Sequence, residues 1–219
     1  MQPSKLIVLL FLGASSALPD VIFSNFGSTP PGYIPGGYEP NRAQICFMPG
    51  ACFVQDNEFA MGFSIPAGST YELTGIRVPL DFSNGITDVD FTIAADASGK
   101  PGSPLETLTI HGLTTDTSLY VANSVLQPIL SGGDYWLEAR ISLGDFGFVP
   151  WSFSNLENDS GLVSGMSGPF GPGGWSNPAV EVQAAFEIDG IAVPEPAFPN
   201  LLGVVVLAIS TLRRTLRAS

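Results

Sequence analysis

At 219 residues and a formal net charge of −12, with only 8 lysines and arginines, the chain offers no basic stripe for phosphates, which excludes nucleic acid as a partner. Four of the bases, Lys5, Arg213, Arg214 and Arg217, lie in the terminal segments, whereas all 20 acids fall between Asp20 and Glu195; the stretch 18–196 thus carries a net charge of −16, four bases against twenty acids. With one histidine and two cysteines there are too few soft ligands for a zinc site, and no metal or other cofactor is expected.

Residues 1–17 have one basic residue, Lys5, an apolar stretch from Leu6 to Leu12, and then Gly13-Ala14-Ser15-Ser16-Ala17. This is the layout of a secretory signal peptide, a short helix handled by the Sec machinery and cut by signal peptidase after Ala17. The apolar stretch is too short to span a bilayer. Residues 18–192 are enough for one domain with its own core. Cys46 and Cys52 close a small loop, and in an exported chain a disulfide is the expected state.

The middle of the chain is written in period two. Phe59, Met61, Phe63 and Ile65 alternate with Ala60, Gly62 and Ser64; after Pro66-Ala67-Gly68-Ser69, Ile76, Val78, Leu80 and Phe82 alternate with Arg77, Pro79 and Asp81. Pro79 on the polar phase predicts an edge or a bulge. Asn84-Gly85 signals a turn, and Val89, Phe91, Ile93 and Ala95 form the next alternating run. A breaker, Ser98 to Pro104, precedes a strand at 105–110; further strands are predicted at 119–125, at 134–143 after Ser131-Gly132-Gly133, and at 180–188. The stretch 161–174 reads as a long loop. No helical stripe interrupts this pattern. The prediction is all-β, an antiparallel β-sandwich of jelly-roll type, flanked by the signal-peptide helix and a short hydrophobic C-terminal helix.

Chemistry is sparse. His111, the only histidine, follows Ile110 at a strand end and has no nucleophile elbow near it. Asp134, Glu138, Asp145 and Glu157 are the acids from which a glycosidase pair would be drawn, but outward-facing acids are what a soluble acidic sandwich shows in any case. Asp88, Asp90 and Asp96 have the oxygen chemistry for Ca²⁺ without the spacing of a calcium loop. Asn158-Asp159-Ser160 matches a glycosylation sequon. Trp136, on the strand face opposite Tyr135 and Leu137, and loop residue Trp175 are the candidate ligand contacts, as aromatic platforms for sugar rings. No catalytic residue is assigned, and the chain is not expected to be an enzyme.

At the C-terminus, Val193-Pro194-Glu195-Pro196 precedes a sixteen-residue apolar run, Ala197 to Leu212, closed by Arg213, Arg214 and Arg217. As a helix the run reaches about 24 Å, short of the roughly 30 Å hydrocarbon core, so it is a marginal permanent anchor with a cytoplasmic arginine stop. Motif, apolar run and arginine cluster in that order resemble the PEP-CTERM sorting signal of exosortase substrates. That resemblance implies export, a transient inner-membrane intermediate, recognition by an exosortase, removal of residues 193–219 near the motif, and release to the cell surface or extracellular polysaccharide.

The domain carries a second resemblance. Phe59-Ala60-Met61-Gly62-Phe63, Tyr71-Glu72-Leu73-Thr74-Gly75-Ile76, Asp96 to Glu106, and Leu130-Ser131-Gly132-Gly133-Asp134-Tyr135-Trp136-Leu137 resemble, in that order, the choice-of-anchor R type of extracellular domain. This family label implies no activity. Together the features give the expectation of a secreted or surface protein with a structural or binding role in the envelope or exopolysaccharide matrix. A carbohydrate-binding module with a defined glycan is the alternative, and a glycoside hydrolase the third reading.

Overall fold

A computed structural model describes residues 18–27, 31–48, 51–81, 88–114, 116–155, 160–168 and 174–194, of which 41–48, 51–55, 160 and 166–168 are described as backbone alone. The signal-peptide segment with Ala17, the tail from Glu195 onward and Glu157 lie outside the described residues.

The described chain is all-β. Its strands are β1 (Asp20–Ser24), β2 (Tyr33–Tyr38), β3 (Asn41–Met48), β4 (Ala51–Leu80), β5 (Asp88–Asp96), β6 (Pro101–His111), β7 (Ser118–Asn123), β8 (Ile129–Ile141), β9 (Gly147–Phe148), β10 (Trp151–Ser154), β11 (Ser160–Gly168), β12 (Ala179–Val182) and β13 (Glu187–Ala192). Every pairing is antiparallel, and hydrogen bonds link all of them into one network whose main path runs β1-β13-β4-β8-β5-β6.

β4 organises the molecule. Thirty residues of straight strand would reach about 100 Å, far beyond a domain of this size. The chain instead breaks register between Ile65 and Thr70, at Pro66-Ala67-Gly68-Ser69, and Gly68 takes a positive φ of 83°. The first arm pairs with β11 and β8; the second pairs with β13 and β7. β8 turns with it, since Ile129, Leu130 and Ser131 pair beyond the bend and Gly133 onward pair before it. Gly132 permits this: a Cβ there would stand 2.7 Å from Ala67 Cα and from Pro66 O. Pro79 pairs with Leu119 of β7 on one side; on the other it falls between Arg77, the last β4 residue paired with β13, and Leu80, which pairs with Trp151, so that side is a local edge.

The period-two residues of both arms point into one core. Met61, Phe63 and Ile65 before the bend and Leu73, Ile76, Val78 and Leu80 after it share a cluster with Phe91, Ile93, Leu137, Ala139, Trp151 and Phe186. Phe91 meets Trp151 edge-on at 5.2 Å, and Phe23 stacks on Phe186 at 4.9 Å. The indole of Trp151 donates to Ala185 O at 2.8 Å, which satisfies its one polar atom inside the core.

Three expectations need correction. The stretch 161–174 is not all loop: β11 occupies its first half, pairing with residues 56–61 of β4 on one side and with β12 on the other. The last strand is not continuous over 180–188. Val180 and Val182 belong to β12 and are exposed, whereas Gln183, Ala184, Ala185 and Phe186 are four consecutive buried residues that cross to β13. Alternation in sequence survives there without a common strand, because the crossing residues are satisfied one by one. Asn25 donates to Ala184 O at 2.9 Å and accepts from Phe186 N at 2.7 Å, and Ala185 N donates to Ser152 O at 2.8 Å. The breaker before β6 is shorter than predicted, since β6 already begins at Pro101 and passes through Pro104 by register shifts opposite Ala94.

Cys46 and Cys52 stand opposite each other in the β3–β4 register. Facing positions in an antiparallel pair lie about 4.5–5.5 Å apart, within disulfide span. No disulfide is found among the described residues, and the side chains of both cysteines are outside them. Likewise no helix among the described residues is long and apolar enough to cross a membrane, and the run 197–212 is outside them too.

Candidate functional site

The sheet segment β4–β8–β5 has a second face, turned away from the main core. Period two places Ala60, Gly62 and Ser64 of β4, Asp134, Trp136, Glu138 and Arg140 of β8, and Asp90, Thr92, Ala94 and Asp96 of β5 on it. Trp136 is on this face, as the strand phase predicts, yet it is only 1% exposed. Gly62 and Ala94 flank it in register and leave room for the indole, which clusters with Ala94 and Ala60, while Trp175, half-buried, packs against that cluster. Its Nε1 donates to Asp96 Oδ1 at 2.8 Å. Trp175 is positioned in turn by neighbours on both sides: Lys100 Nζ donates to its carbonyl at 3.1 Å, and Ser176 N donates to Gly165 O at 2.9 Å. The two candidate contacts thus meet each other and cover each other, rather than forming an open platform.

The acids are distributed differently from the sequence expectation. Asp134 and Glu138 share a face of β8 but are four residues apart, about 13 Å along the strand, beyond the separation of either glycosidase geometry. Asp145 accepts Asp88 N at 2.9 Å and acts as a turn cap. The carboxylate that Glu138 does face is Glu58. Burial, reinforced by the Glu58 charge and partly offset by Arg140, pushes the Glu138 carboxyl up to about 7. That pairing depends on the β4–β8 register, and no local pattern in the sequence announces it.

The aspartates considered for Ca²⁺ are engaged by protein donors. Asp88 holds His111 Nδ1 at 2.8 Å, Asp90 accepts Thr109 and Ser142 hydroxyls at 2.8 Å each, and Asp96 accepts Trp136 and, at 2.9 Å, Gly99 N. No group of three His, Cys, Asp or Glu side chains is placed to hold a metal among the described residues. The His111 side chain is 72% exposed, and its contact with Asp88 lies at the strand end.

Beside this face lies a cleft of about 500 Å³. It opens where β11 leaves β4: Val163 is still paired with Met61, but Leu162 and Gly161 pair only with β12. Gln183, 3% exposed, bridges the gap by donating Nε2 to Gly62 O at 2.8 Å and Leu162 O at 3.2 Å. Asp96 and Asp134 line the cleft with Phe23, Phe63, Tyr135 and Trp136. Ser64 Oγ donates to Asp134 at 2.5 Å, and the Tyr135 hydroxyl is fixed between Ser131 N and Ser131 O. This cleft was not legible in the sequence, since it joins residues from six separate stretches of chain.

The other end of the domain bears on the tail. β13 makes its last ladder contact at Ala192, Val193 N donates to Thr70 O at 2.9 Å, and Val193 and Pro194 are exposed. The motif residues thus begin where the sheet ends. No protein-family model matches the chain, and no curated protein matches it.

Proposed function

We propose that the chain is an exported protein, sorted by an exosortase through its C-terminal PEP-CTERM-like signal to the cell surface or extracellular polysaccharide, with a structural or binding role there and no catalytic one. The observation that carries this reading is the order of parts in the tail: Val193-Pro194-Glu195-Pro196, a short apolar run, then Arg213, Arg214 and Arg217. The exposed Val193 and Pro194 just after the last rung of β13 support it, because a processing enzyme can reach a motif there without unfolding the sheet.

The domain is proposed to be a two-layered, jelly-roll-like sandwich of the choice-of-anchor R type. The shared bend of β4 and β8 and the single core fed by both arms of β4 support this. Its partners are then the Sec machinery, signal peptidase, an exosortase, and the matrix in which it ends up.

Intact mass of the endogenous protein in membrane, matrix and medium fractions tests the proposal. A matrix or medium species lacking residues 1–17 and those after about Pro196 is expected. A membrane species that retains Arg213 to Ser219 as the sole product would overturn it.

A further inference from the structure

We infer that the cleft beside β11 is a binding site for an uncharged or amine-bearing hexose unit of a polysaccharide, with Asp96, Asp134 and Gln183 as the hydrogen-bond acceptors and Tyr135 and Phe23 supplying apolar wall. This deepens the binding role proposed above and rests on it for the choice of polymer.

Its volume, about 500 Å³, falls in the ordinary range of small-ligand sites, roughly 300–1,000 Å³. The donors on its wall, among them Ser64 Oγ, Gly99 N, the Tyr135 hydroxyl, Trp136 Nε1 and Gln183 Nε2, are spent on protein oxygens, which leaves mainly acceptors for a ligand. Asp96 is fixed by Trp136 Nε1 and Gly99 N, and Asp134 by Ser64, so both carboxylates are oriented before a ligand arrives. Gln183 adds a third acceptor. Its Nε2 is engaged by two carbonyls, which fixes the orientation of the amide and leaves Oε1 as the acceptor this lining residue offers. Gly161 makes room for that amide, because a Cβ there would lie 2.2 Å from Gln183 Cδ.

Acceptors together with aromatic carbon on the lining fit a molecule that donates through several hydroxyls and presents a C–H face, which is what a hexose ring does. The same wall rejects uronate and sulfated polymers. Two carboxylates in a segment of net charge −16 repel an anion, and no lining residue is basic.

Isothermal titration of the full chain with gluco-, manno- and galacto-tetraose, a glucosamine tetramer and a galacturonate tetramer tests the inference. Saturable binding is expected for at least one of the first four and none for the galacturonate probe. Asp134→Ala removes an exposed acceptor with little risk to the fold and is expected to weaken binding about tenfold or more; Gly161→Ala, which displaces the Gln183 amide, weakens it as well. Absence of binding to all four, equal binding of the galacturonate, or binding that Asp134→Ala leaves unchanged would each overturn the site. The fractionation by mass stands apart from this result: a correctly processed matrix protein with no sugar binding removes only the cleft, while a membrane-retained chain that binds sugar removes only the sorting route.

Discussion

The two faces of the β4–β8–β5 ladder come from the same residues in alternation and are covered in different ways. On one, Met61, Phe63, Phe91, Ile93, Leu137 and Ala139 meet the second arm of β4 and the crossing segment through Phe186. On the other, Ala60, Ala94 and Trp136 are covered chiefly by Trp175, among Asp90, Thr92, Glu138 and Arg140. A face packed against a folded layer shares each contact among many neighbours. One closed by a single side chain depends on that residue and on the polar pairs at its margin. The contrast can be broken or sharpened by substitution.

The largest effect is expected on the layered face. Phe91→Ala removes a fully buried ring that meets Trp151 edge-on and should cost about 3–5 kcal/mol, read as a fall in the urea midpoint. A loss under about 1 kcal/mol would mean that this face is not the tightly packed one. Next comes the crossing segment, where Asn25→Ala strands Ala184 O and Phe186 N without partners and should cost about 2–4 kcal/mol. Across the β3–β4 hairpin, the proposed Cys46–Cys52 disulfide closes a short loop and is expected to contribute about 2 kcal/mol, lost on reduction. Alkylation of both thiols in the unreduced protein would dispose of that bond. On the lightly covered face, Trp136→Phe keeps an aromatic ring but leaves Asp96 Oδ1 without its indole donor, for an expected cost of about 1–2 kcal/mol.

Legibility follows the same division. The core residues 59–65, 76–80, 89–93 and 137–141 are readable because a face buried against a layer imposes strict period two, and these runs have counterparts in β4, β5 and β8, whereas the alternation at 180–188 divides between β12 and β13. What the alternation does not encode is the cover on the opposite face. Trp136 reads as an outward residue and is buried by Trp175, a residue 39 positions away in a stretch with no periodicity. β11 is hidden for a related reason: its sequence, Ser-Gly-Leu-Val-Ser-Gly-Met-Ser-Gly, has few branched or aromatic residues, and it is a strand because β4 and β12 offer ladders on both sides. The cleft depends on where β11 parts from β4, a property of register that no local window contains.

The smallest expected effect discriminates best between the two faces, because it depends on the sign of a charge and not on volume. Glu138 stands between Ala60 and Thr92 in register, and its carboxyl is raised from 4.5 to about 7, chiefly by burial and then by Glu58, with Arg140 opposing. Between those two values the folded chain keeps a proton that the unfolded chain has released, so this group's contribution is fully present below about pH 4.5 and is lost as pH rises through about 7. Glu138→Gln imitates the protonated form. It should leave stability nearly unchanged at about pH 4 and, with the partial exposure of the site discounted, raise it by about 1 kcal/mol at about pH 8. Asp189, also raised by burial and pulled back by Arg77, tilts both proteins in the same direction and cancels in their difference. Urea midpoints of the two proteins at both pH values give the result directly. A gain that is equal at the two pH values would place its origin in packing, and the second face would then resemble the first.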